Sequence, residues 1–244
     1  MTTLVVGASG ATGRLLVELL LNQGEQVKII VRTIESVPAV LKQYSHLRIT
    51  VASLLDMTDA QLLEQVQGCG AVVSCLGHNL TIKGMFGHPR RLVTNGVQRL
   101  CHAIEKTSPR TPVKFVLMNT TGNQNNQAGE IVSKAQACII GLIRHLIPPH
   151  ADNELAAESL QKNYSASQTA IEWAVVRPDS LTDEETVTEY NAHPSPIRSA
   201  IFDAGKTSRI NVAHFMSLLI LAPDIDQSIW EHWKYQMPVI YNIA

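Results

Sequence analysis

The sequence predicts an α/β fold built on a doubly wound parallel sheet, with a small C-terminal segment on the substrate side. Three features carry that expectation. Short apolar runs alternate with amphipathic stretches of helical period along most of the chain. One run, Gly70 to Cys75, is nearly continuously apolar, as a strand covered on both faces must be. The first run, Leu4-Val5-Val6, leads directly into a glycine-rich turn that opens a helix.

The elements follow in order. After the Leu4–Val6 strand, Thr12 to Leu21 reads as a helix with Leu15, Leu16, Leu19 and Leu20 on one face, ended at Gly24. Val27 to Val31 and Leu47 to Val51 are the second and third strands. Asp59 is expected to cap a short helix through Val66. Gly70 to Cys75 is the fourth strand, and a helix runs from His88 or Arg90 to Glu105. Val113 to Met118 is the fifth strand. Two helices follow, Ile131 to Leu146 and Asp152 to about Tyr164, and Ala170 to Val176 is the sixth strand. Parallel strands joined through helices imply right-handed crossovers. Beyond Pro178 the prolines cluster, then come one helix (Val212 to Leu221) and a strand-like run, Pro238 to Tyr241. The whole of 1–244 reads as one domain, with a core over 1–178 and a substrate-side cap over 179–244.

Composition narrows the partners. A net charge of -1 with no basic block gives no support for nucleic-acid binding. Cys69, Cys75, Cys101 and Cys138 form no CxxC pair and no zinc-ligand spacing, so they read as reduced thiols. The N-terminus lacks the charged start and long apolar run of a secretory leader, and Phe215 to Leu221 is too short to span a bilayer. A soluble cytoplasmic protein, monomer or homodimer, is expected, with the apolar Ile139–Leu146 stretch as a candidate dimer face.

The turn Gly7-Ala8-Ser9-Gly10-Ala11-Thr12-Gly13 places three glycines at the first strand–helix junction. Gly7 makes the tight turn, Gly10 lets the backbone approach a pyrophosphate, and Gly13 lets helix and sheet pack closely. The helix N-terminus then offers free N–H donors and a positive dipole end, with hydroxyls from Ser9 and Thr12. This is a Rossmann-type dinucleotide site. An acid at the end of the second strand would select NAD; here the strand ends at Arg32-Thr33, and Arg14 adds a second cation on the same side. The forked guanidinium suits a 2′-phosphate. NADP is therefore the expected cofactor, with NAD as the alternative.

Gly7 to Arg14, Ile30-Val31-Arg32 and Val175-Val176-Arg177-Pro178 together resemble the atypical short-chain dehydrogenase/reductases, in particular the NAD(P)H-binding, NmrA-like and flavin-reductase-like branch. The resemblance implies that Ser53-Leu54 contacts adenine, with a serine where an aspartate is usual. It implies that Cys75-Leu76-Gly77 passes under the adenosine half and that Asn119-Thr120-Thr121-Gly122 borders the nicotinamide. Arg177-Pro178 is implied to close over the nicotinamide end.

Classical members use a Tyr-x-x-x-Lys pair, the lysine lowering the phenol pKa. None of the five tyrosines here has a lysine four residues on, and His150 to Glu158 contains no such pair. Thr120 and Thr121 stand where a serine would polarise a carbonyl, and His150, with His78 as a second histidine, is a candidate proton donor. Asp152 reads more simply as a helix N-cap. Leu80 to Pro89, with Lys83, Met85 and Phe86, is a candidate substrate lid. Three functions fit: an oxidoreductase reducing a small carbonyl, quinone or flavin-like acceptor; a non-catalytic NADP(H)-binding redox sensor; and, ranked last because it generally needs the missing tyrosine, a nucleotide-sugar epimerase or dehydratase.

Overall fold

The structure, a computed structural model, describes residues 1–78, 81, 87–164, 170–221 and 228–243. Most of the expected lid, residues 80 and 82–86, therefore lies outside the described residues.

The first two-thirds of the chain alternates strands and helices. The strands are β1 (Thr2–Val6), β2 (Gln26–Val31), β3 (Leu47–Val51), β4 (Ala71–Ser74), β5 (Val113–Met118) and β6 (Ile171–Pro178). The helices are α1 (Ala11–Asn22), α2 (Asp59–Val66), α3 (Leu92–Lys106), α4 (Lys134–Leu146) and α5 (Pro148–Asn163). β1 pairs in parallel with β2 on one side and β4 on the other, so the strand order reverses between them. Alternate residues of each strand go to opposite faces. Leu4 and Val6 pack with Val97, Leu100 and Leu160 under α3 and α5, whereas Val5 packs with Leu16, Val17 and Leu20 of α1. Burial on both faces accounts for the largely apolar character of β4 and β5, broken only at Ser74 and Lys114, since each fully buried aliphatic side chain contributes about 1.5–3 kcal/mol.

The segment after Pro178 is part of this core as well as a cover for one edge. It contributes β7 (Ser180–Thr182), β8 (Tyr190–His193), β9 (Lys206–Ser208), α6 (Arg209–Leu221), α7 (Ser228–Trp233) and β10 (Val239–Asn242). β10 pairs in parallel with β6 and β8 pairs antiparallel with β10, completing an eight-stranded sheet of order β3-β2-β1-β4-β5-β6-β10-β8. α6 is apolar almost all round because it is enclosed: Val212, Phe215, Met216 and Leu219 join the core cluster of α1, with Trp230 and Trp233 of α7 outside them. From this segment, Leu181 of β7 and Arg209 at the start of α6 reach the cleft described below.

Several element ends differ from the sequence reading for local reasons. α2 is capped by Thr58, not Asp59, through a reciprocal capping box with Gln61. α4 begins at Lys134, where Ser133 caps Gln136 N. α5 begins four residues before Asp152, because Pro148 and Pro149 occupy first-turn positions that need no N–H. No described helix is long and apolar enough to cross a membrane.

Candidate functional site

A cleft of about 440 Å³ opens at the C-terminal edge of the sheet, over the point where the strand order reverses. Its floor is the glycine turn. Gly7 adopts φ +76°, and a Cβ there would lie 2.4 Å from the Cys75 carbonyl carbon. Gly10 is the N-cap of α1 in extended conformation, and no side chain caps that helix. This contrasts with the saturated start of α2. The open N–H groups of α1 face a space lined by Ser9, Gly10, Ala11, Thr12 and Gly13, a cradle that fits a pyrophosphate.

The remaining walls come from the ends of the other strands. Arg32 stands at the end of β2, exposed, and among the described residues neither Arg32 nor Arg14 forms an ion pair. Thr33 and Arg14 each lie one residue beyond a lining position. Ser53 and Leu54 follow β3, and Cys75, Leu76 and Gly77 follow β4. Gly96 of α3 permits this wall to form, because a Cβ there would meet Leu76 Cδ1 at 2.8 Å and Leu54 Cδ2 at 3.2 Å. Burial pushes the Cys75 thiol up to about 12, so it lines the cleft as a neutral group.

The structure adds His78, Met118, Leu181 and Arg209 to the lining. Arg209 is the first residue of α6 and pairs with Asp183 at 2.8 Å, the latter 83% exposed. Such an exposed pair is worth at most about 1 kcal/mol, so Arg209 is available to an anion in the cleft. Its position comes from long-range packing of α6 on α1, and no sequence motif announces it.

The residues expected around the nicotinamide are engaged elsewhere. Asn119 is buried, its Nδ2 donating to the Asn153 carbonyl at 2.8 Å and its Oδ1 accepting from Thr120 N at 2.9 Å. Thr120 Oγ1 accepts from Gly122 N, and Thr121 N donates to the Pro178 carbonyl. Arg177 departs from what the resemblance implies. It does not close over the cleft but is fully buried, its guanidinium held by Glu130 at 2.6 and 3.0 Å and by the carbonyls of Asn123 and Met237. Pro178, the last residue of β6, carries the carbonyl that holds Thr121.

His150 lies behind Gly122 and 3.4 Å from Glu154, one helical turn on, and is not part of the cleft lining. Arg144 grips the same carboxylate at 2.5 and 2.8 Å. Burial alone would raise the Glu154 pKa, but His150 and Arg144 together outweigh it and bring it to about 2. Because the folded pKa is depressed from 4.5, the stabilisation is complete above pH 4.5 and is lost as pH falls toward 2. The melting difference between wild type and Glu154→Gln is expected to shrink over that window when followed by circular dichroism.

An open glycine cradle at the reversal point of a parallel sheet defines a dinucleotide-binding protein of Rossmann type. The chain belongs to the NAD(P)H-binding family, whose pattern matches residues 7–223. No curated protein matches the sequence. Solved structures share the fold. The oxidoreductase ylbE from Lactococcus lactis is 20% identical with a TM-score of 0.68, the match covering 100% of this chain and 91% of that one. A wide-type short-chain dehydrogenase/reductase from Veillonella parvula, in complex with NADP, is 13% identical with a TM-score of 0.70, covering 99% and 94%. The anaerobillin reductase ChuY from Escherichia coli O157:H7 is 16% identical with a TM-score of 0.67, covering 99% and 97%.

Proposed function

We propose that the protein is an NADP(H)-dependent oxidoreductase that reduces a small carbonyl, quinone or flavin-like acceptor. The observation that carries the reading is Arg32 at the end of β2. It is exposed, unpaired among the described residues, and placed in the cleft where an acid would stand in an NAD-selective site. Arg209 at another wall supports a polyanionic ligand. The cofactor supplies the hydride; the chain's residues hold it against the acceptor and exclude water. The apolar walls Leu76, Met118 and Leu181 suit a flat, weakly polar acceptor.

Calorimetric titration with NADPH, NADP+, NADH and NAD+ tests the cofactor. NADPH is expected to bind more tightly than NADH, and Arg32→Ala to weaken NADPH about tenfold to a hundredfold, as loss of a charge-assisted contact predicts, while leaving NADH nearly unchanged. Equal affinity for the two in wild type would remove the NADP assignment. NADPH oxidation against carbonyls, quinones and flavins then tests the reaction.

The second reading, a redox sensor without turnover, draws on the engagement of Asn119, Thr121 and His150 in structural contacts. It expects NADPH binding with no oxidation by any acceptor, and partner binding that differs between NADP+ and NADPH.

A further inference from the structure

We propose that the acceptor carries a carboxylate or phosphate at the edge of its ring, and that Arg209 is the residue that binds this anion. The inference rests on the oxidoreductase reading and deepens it by naming the class of acceptor.

The two arginines that line the cleft stand toward opposite sides of the sheet. The glycine turn follows β1 and Arg32 follows β2, so that side takes the pyrophosphate and the adenosine with its 2′-phosphate. The nicotinamide half then runs the other way, toward β4, β5 and β6. Three observations put Arg209 on that second side. It directly follows β9, whose parallel partner β7 begins just after β6 ends. The helix it opens, α6, lies against β5 and β6 as well as α1. The apolar cleft residues from the same side are Met118, the last residue of β5, and Leu181 of β7.

Arg209 thus puts a positive charge at the edge of an apolar wall, its side chain 24% exposed. Its Nη1 meets Asp183 Oδ2 at 2.8 Å, and Asp183 is 83% exposed. The next acid, Glu184, is engaged elsewhere, accepting from Thr188 Oγ1 at 3.1 Å and Asn242 Nδ2 at 2.9 Å. Asp183 therefore holds the place of a ligand carboxylate. An exposed pair of this kind is weak, and exchanging one carboxylate for another conserves charge. The incoming anion sits deeper than Asp183, where water screens the pair less, and a guanidinium fork can grip it at two points. With the charge held there, the ring of the acceptor falls on Met118 and Leu181. A neutral acceptor leaves Arg209 with Asp183 and gains nothing from it.

The test uses acceptors that differ only in charge: flavin mononucleotide with riboflavin, carboxybenzaldehyde with benzaldehyde, and a naphthoquinone carboxylate with naphthoquinone. Calorimetry on the NADP+ complex reads their binding, and NADPH oxidation reads kcat/KM. Wild type is expected to prefer the charged member of the pair it accepts by about tenfold or more, and Arg209→Gln to remove most of that preference. Arg209→Lys should keep part of it. Asp183→Asn, in which no carboxylate competes for Arg209, should raise it by up to about fivefold, the equivalent of one exposed pair. Opposite signs in the Arg209 and Asp183 variants are what a mere tie between β7 and α6 would not produce. A wild type that takes the neutral member as well as the charged one, or that binds neither member of any pair, would overturn the proposal. So would an Arg209→Gln protein that binds NADPH more weakly with its acceptor preference intact, since the arginine would then belong to the cofactor's phosphates. A charge preference in binding with no NADPH oxidation would overturn the oxidoreductase reading and leave the anion site standing.

Discussion

Replacing Glu130 with alanine is expected to lower the unfolding free energy by about 3–5 kcal/mol, the cost of leaving one member of a buried ion pair alone. Arg177 is fully buried and the Glu130 side chain is 4% exposed, so water cannot replace the lost carboxylate. The pair is bidentate, and the guanidinium also holds the carbonyls of Met237 and Asn123. It therefore ties β6 to the turn before β10 and to the loop after β5. Glu130 Oε2 in addition accepts from Asn125 N, closing that loop on itself. Glu130→Ala strands a charge, whereas the double replacement Arg177→Met with Glu130→Leu removes both charges and should recover much of the loss. Urea unfolding of the three proteins checks this. A loss under about 1 kcal/mol in Glu130→Ala, the range of a surface pair, would show that the site hydrates without penalty.

The same pair shows where sequence reading stopped. Val-Arg-Pro at the end of β6 marks a turn of the right family, but nothing local indicates that the arginine faces inward to a glutamate 47 residues earlier. The parallel core was legible because its signals are local: apolar runs of strand length and a glycine turn whose backbone needs are written residue by residue. Ser9 to Gly13, Arg32, Ser53 and Cys75 to Gly77 line the cleft because they directly follow strand ends, which sequence locates well. His78 was legible as a candidate after β4, but Arg209 and the carboxylate that meets His78 required tertiary knowledge, namely which helix packs on α1 and which side chain reaches the β4 loop. Asp152 carries a capping signal that is real but addressed to α3, a helix its own stretch of sequence does not reveal. The β7–β9 ribbon and β8 were missed because three- and four-residue strands in a proline-rich segment have no period to read.

The glycine turn itself separates into positions that serve the fold and one that serves the ligand, and mutation should split them. An alanine Cβ at Gly13 would sit 2.2 Å from the Gly7 carbonyl oxygen and 2.9 Å from its carbon, both backbone atoms that cannot rotate away. Gly13→Ala must therefore push α1 off β1, and a destabilisation of about 3 kcal/mol is expected from overpacking, with cofactor binding lost alongside. At Gly10 the nearest atom to a Cβ is the Gly7 oxygen at 3.2 Å, a contact that a few tenths of an ångström relieves. Gly10→Ala should keep a melting temperature close to wild type while placing a methyl group in the cradle that faces the pyrophosphate. NADPH affinity is expected to fall at least tenfold in that variant, read by calorimetry beside a thermal melt. If Gly10→Ala binds NADPH like wild type, the phosphates do not approach this turn and the cleft holds its ligand in another way. If Gly13→Ala melts like wild type, α1 shifts on β1 without cost, and the close packing of helix on strand is not what demands glycine there.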